Sequence, residues 1–132
     1  MDVYLTLDYE LFFGDKSGSL EQCILRPTEA FLSILNKYDI KATFYVDVGY
    51  LIALLREKGK YPELAEDYRK VTEQIVFLSQ NNHSIGLHIH PHWEDTNYYN
   101  GNWHCDLSRY KLSSFSEKEV FNIVTKYTQE LQ

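Results

Sequence analysis

The chain has 132 residues, 44% hydrophobic and 24% charged, which is ordinary globular composition for one domain with a single core. Its net charge of -6 offers no basic stripe for a phosphate backbone, so a nucleic-acid partner is excluded. Two cysteines, Cys23 and Cys105, are too few and too far apart for a disulfide framework or a CxxC metal site, and are expected as reduced thiols.

The N-terminal run MDVYLTLDYELFF has no basic region and carries acids within its short apolar stretch, so it does not read as a signal peptide. No segment reaches transmembrane length, and no membrane partner is expected. The reading is of a cytoplasmic protein.

Along the chain, VYLTLDY (residues 3–9) reads as a strand rich in β-formers, followed by the Gly-rich loop GDKSGS. Pro27 is expected to open a helix, PTEAFLSILNKY, with Phe31, Leu32, Ile34 and Leu35 at helical spacing. KATFYVDV (residues 41–48) reads as a second strand. A short helix over 50–58 stops at Gly59, and a longer one runs from Pro62 to Asn81 with Val71, Ile75 and Leu78 as its stripe. The third strand begins at Ser84 and runs to about His90. A long polar and aromatic loop is expected from Trp93 to Ser114, and Ser116 with Glu119 forms a capping box for a last helix. The order βαβαβα predicts an α/β fold with a parallel sheet and helical crossovers. Ending on a helix, the chain reads as the front portion of a larger unit, incomplete at its C-terminus.

Alternation sorts each strand into an apolar and a polar face. Thr6, Asp8 and Glu10 share the polar face of the first strand. Asp47 ends the second, where it is expected as a helix N-cap. His88 and His90 end the third. Sites in parallel α/β folds lie at the carboxyl ends of strands, and carboxylates with imidazoles at one rim suit a divalent metal such as zinc. Four of the five histidines fall within HSIGLHIHPHW, residues 83–93. Pro91 biases His90 toward extended backbone, which would pair His88 with His90; a turn at Pro91 would instead pair His88 with His92. Spacing alone leaves both open. His83 is expected at the surface of a helix-to-strand junction.

Three segments resemble the NodB-homology domain of polysaccharide deacetylases, carbohydrate esterase family four. They are TLDYE (residues 6–10), KATFYV (41–46) and NHSIGLHIHPHW (82–93), in the family's order. The resemblance implies the front of a distorted (β/α) barrel and a metal-dependent hydrolase that removes N-acetyl groups from a carbohydrate substrate. It implies Asp8 as catalytic base and His88 and His92 as zinc ligands. The family's second aspartate is Tyr9 here, and Glu10, on the same face as Asp8, is expected to replace it as a ligand. His90 has no counterpart and is expected as an outer contact to metal or substrate. The family's later arginine motif and late histidine are not visible in the chain, so the general acid for the leaving amine is missing from its usual place. Two alternatives stand beside this reading. One is another metallohydrolase, histidinol-phosphatase-like or amidohydrolase-like, using His88 and His90. The other is a non-catalytic domain that binds metal or sugar, with an exposed sheet edge that favours a homo-oligomer.

Overall fold

The computed structural model describes residues 3–12 and 18–132; the Gly-rich loop begun at Gly14 lies largely outside them. Strand β1 (Thr6–Tyr9) is followed by a π-helical turn (Glu21–Leu25) and helix α1 (Arg26–Lys37). Then come β2 (Thr43–Asp47), α2 (Val48–Glu57), α3 (Pro62–Gln80) and β3 (Ser84–His88). A 3-10 turn (Pro91–Glu94) leads to β4 (Asn97–Tyr99) and β5 (Asn102–His104), and α4 (Glu117–Glu130) comes last. The first three strands form one parallel sheet in the order β1-β2-β3, the mixed α/β pattern expected from the alternation of strands and helices. Among the described residues no helix is long and apolar enough to cross a membrane.

The chain divides into two compact units, Met1–Val46 with Arg69–Gly86, and Asp47–Tyr68 with Leu87–Gln132. In the first, β1 and β2 pair in register, Thr6 with Thr43 and Asp8 with Tyr45. Ala42, Phe44 and Val46 are buried as alternation requires, and full burial of a side chain such as Phe44 or Val46 is worth about 1.5–3 kcal/mol. Tyr9 also faces inward. Its hydroxyl donates to Gln74 Oε1 at 2.8 Å, and Gln74 Nε2 donates to the Leu25 carbonyl at 3.2 Å. Burial pushes the Tyr9 phenol well above its ordinary pKa, so that hydroxyl stays a donor.

Pro27 does not open its helix. Helical backbone begins at Glu21, and Pro27 is the second residue of α1. A proline cannot donate to the carbonyl four residues back, and the turn ahead of it takes the wider π form. Ile34, placed on the apolar stripe by its spacing, is 54% exposed, whereas Leu32 and Leu35 carry the packing.

α1 and α3 end by the same device. Asp39 and Asn82 take left-handed backbone, φ 49° and 63°. The next residue's N–H then returns to the helix, Ile40 to the Leu35 carbonyl at 2.9 Å and His83 to the Leu78 carbonyl at 3.1 Å. This is the Schellman pattern, with Asp and Asn in the position that glycine usually takes. Each stop delivers the chain directly into β2 or β3.

In the second unit the stretch expected as loop contains a hairpin. β4 and β5 are antiparallel, with Tyr98 opposite Trp103, and Asn100-Gly101 forms the turn at φ 51° and 74°. Two successive positive φ values are what a two-residue hairpin turn requires, and Asn-Gly is its strongest sequence signal. α4 starts as expected: Ser116 caps the Glu119 N–H, and Glu119 returns a bond to the Ser116 N–H at 2.8 Å.

Candidate functional site

In the first unit, Asp8 lies on the exposed face of β1, beside its register partner Tyr45 on β2. The Tyr45 ring covers Gly86; a Cβ there would sit 2.6 Å from Tyr45 Cδ1, so only glycine leaves this ring its place. Glu10 follows the end of β1, half-buried, one alternation beyond Asp8. Tyr9 is turned to the helix-packed side and engaged with Gln74. A cavity of about 480 Å³ lined by Leu25, Leu32, Gln74 and Phe77 lies on that helix-packed side, away from Asp8.

His83 is not a surface residue. It is 5% exposed, its Nδ1 accepts from the Ala42 N–H at 3.2 Å, and its ring meets Phe44 edge-on at 5.5 Å. Burial, and then the charge of Lys41, lower its pKa and favour the neutral ring. The helix stop at Asn82 places this ring against the start of β2. It is a structural histidine by its bonds.

The other three histidines of the motif lie in the second unit. His88 ends β3, and His90 keeps extended backbone at φ -110° and ψ 97°. Extended backbone through His90 is what a residue before proline prefers, and a two-residue step returns its ring to the side of His88. The Nε2 atoms of His88 and His90 are 3.0 Å apart, with ring centroids at 4.6 Å and planes at 82°. Two imidazole nitrogens bound to one tetrahedral zinc at 2.0–2.1 Å would stand about 3.3 Å apart. The two nitrogens are hydrogen-bonded to each other, one ring donating, and a shared cation would take the place of that proton after the rings turn and open by a few tenths of an ångström.

Pro91 begins the 3-10 turn, and His92 leaves the strand direction with it. His92 is 4% exposed, its ring lies against Trp93 at 5.0 Å and 34°, and its carbonyl accepts from Thr96 Oγ1 at 2.8 Å. Its centroid is 5.5 Å from that of His90. The structure thus brings His88 and His90 together nitrogen to nitrogen and packs His92 into an aromatic cluster.

Trp93 is the centre of that cluster. Its indole N–H donates to Asp47 Oδ2 at 2.5 Å. Its ring presses on Gly49, where a Cβ would come within 2.6 Å of Trp93 Cδ1. Tyr50 at 5.2 Å and Trp103 at 5.3 Å close around it. Arg56, on α2, donates to the carbonyls of Trp93 at 3.4 Å and Thr96 at 2.5 Å. Asp47 does stand at the N-cap position of α2, but its side chain makes no cap bond and holds Trp93 instead. Sequence reasoning missed this role because the partner lies 46 residues away. The available signal was an acid ending a strand two residues before a glycine.

Two imidazoles set nitrogen to nitrogen are a donor pair chemically suited to a divalent cation of the zinc type. No family model, no curated protein and no solved structure matches this chain.

Proposed function

We propose that the chain is the front part of a distorted (β/α) barrel, and that it acts as a metal-dependent hydrolase on the N-acetyl groups of sugars. The observation that supports this most is the 3.0 Å approach of the His88 and His90 nitrogens at the end of β3. The motifs TLDYE, KATFYV and NHSIGLHIHPHW add the reaction class by their resemblance to the polysaccharide deacetylases. His88 and a second imidazole from His90 or His92 would hold the cation, and Glu10 is the carboxylate that the resemblance would add. A bound divalent ion of the zinc type supplies Lewis acidity and lowers the pKa of water.

The residues of the chain divide the remaining work. Asp8, exposed on β1, takes the proton as water attacks the acetyl carbonyl carbon. The same carboxyl returns that proton to the nitrogen as the C–N bond breaks, giving acetate and the free amine.

The test is acetate release from N-acetylglucosamine oligosaccharides, with zinc and with a chelator. Release is expected with zinc, lost on chelation, and lost in Asp8→Asn. Zinc-independent release, or none, overturns the reading. The close His88–His90 pair equally favours a second reading, a metallohydrolase of a different substrate class built on HxH. Metal-dependent hydrolysis of a phosphate ester or cyclic amide, without acetate release, would select it.

A further inference from the structure

We propose that the two imidazole ligands of the metal are His88 and His90, both through Nε2, and that His92 is a packing residue. The proposal rests on the metal-site reading above and departs from the family resemblance, which implies His92.

Three observations carry it. The first is distance. The two Nε2 atoms are hydrogen-bonded to each other at 3.0 Å, so a cation that replaces the shared proton reaches both once the rings turn and open slightly. The second is the backbone. His90 is extended and lies one strand period beyond His88, while Pro91, with its fixed φ, starts the turn only afterwards. His92 lies in that turn, with its ring against Trp93 and its centroid 5.5 Å from that of His90.

The third is the anchoring of His92. Its ring is buried against Trp93, which is fixed from below by Gly49 and at its N–H by Asp47. Its carbonyl is held by Thr96, whose own carbonyl is held by Arg56. Swinging this ring out to a metal would expose the face it now covers on Trp93. His88 and His90 turn their Nε2 atoms to one another, and the His92 ring packs on Trp93.

The test uses zinc and cobalt(II) alone as probes on the whole chain. Equilibrium zinc affinity is measured for wild type, His88→Ala, His90→Ala and His92→Phe, the last chosen to keep the ring packing. His88→Ala and His90→Ala are expected to lose more than the roughly 10–100-fold typical of an outer-shell partner, and His92→Phe to stay within about threefold of wild type. If His92→Phe does not fold, long-range 1H–15N spectra of wild-type histidines during zinc titration decide instead. The Nε2 resonances of His88 and His90 are expected to shift together, with that of His92 unmoved. Loss of affinity in His92→Phe with retention in His90→Ala, or a shift of the His92 nitrogen in place of His90, overturns this pairing and leaves the metal-dependent reading intact. Failure of wild type to bind either ion overturns both.

Discussion

The two units treat buried polar groups in opposite ways. In the first, polar side chains enter an otherwise apolar interior singly, each settled by one or two bonds. Tyr9 bonds Gln74, Gln74 bonds the Leu25 carbonyl, and His83 accepts from Ala42. In the second, polar and aromatic groups interlock. Asp47 holds Trp93, Arg56 holds the carbonyls of residues 93 and 96, and Tyr127, fully buried, donates to Glu94 at 3.0 Å. Glu94 also pairs with Lys126, and Arg109 grips Asp95 with two bonds of 2.7 and 3.0 Å. The 3-10 turn that follows the histidines is thus bonded on nearly every residue. A segment with so little regular secondary structure has no ladder to satisfy its backbone, so side chains do it. The isolated groups of the first unit tune a core that apolar contacts already define. The network of the second defines the shape of the segment next to the candidate ligands.

That contrast can be broken at its strongest point. Trp93→Ala removes a 3% exposed indole and leaves Asp47 buried without it, and is expected to cost about 3–5 kcal/mol in urea unfolding. A cost no larger than that of a single first-unit bond would show that the cluster is not the keystone of its unit.

Next in size is Arg56→Met, which keeps the aliphatic stem but withdraws the donors from two carbonyls. An expected loss of about 1–3 kcal/mol would appear as a lower denaturation midpoint. The comparison sharpens if Tyr9→Phe, which deletes one isolated hydroxyl bond of the first unit, costs only about 0.5–1.5 kcal/mol in the same assay. Ser116→Ala, which removes the cap of α4, is expected near 1 kcal/mol, a purely local effect that leaves zinc affinity unchanged.

The smallest expected effect is a slope with pH. His83 has a lowered pKa in the folded chain because burial disfavours its charged form, against about 6.5 when unfolded. The unfolded state therefore binds more protons over the interval between the two values. The stabilisation is whole above about pH 6.5 and is lost as pH falls through the folded-state value. His83→Asn keeps an acceptor for the Ala42 N–H but does not titrate there. Melts at pH 7.5 and pH 5 should therefore differ less in this variant than in wild type.

Much of the fold was legible because it depends on near neighbours. The alternation of Ala42, Phe44 and Val46 with Thr43 and Tyr45 fixed the faces of β2, and Ser116 with Glu119 fixed the start of α4. The Asn100-Gly101 hairpin was equally readable, yet it was hidden by the polar character of its surroundings. Pro27 misled because a favourable first-turn residue is also tolerated one position further in, after a π turn. Of the candidate site, the exposed face of Asp8 and the inward turn of Tyr9 followed from the period of a strand.

What the sequence determined by itself is local: strand faces, helix stops at Asp39 and Asn82, and the extended backbone that Pro91 imposes on His90. What only the tertiary structure decided is which of several similar side chains each environment selects. Three imidazoles at two-residue intervals are equivalent on paper. They diverge because Trp93 finds Asp47 and Gly49 across 46 and 44 positions of chain and draws His92 inward with it. His83, equally unremarkable in sequence, is buried because the helix stop sets it against Ala42 and Phe44. The burial of His83 and of His92 is set by distant packing, and no local rule contains that information.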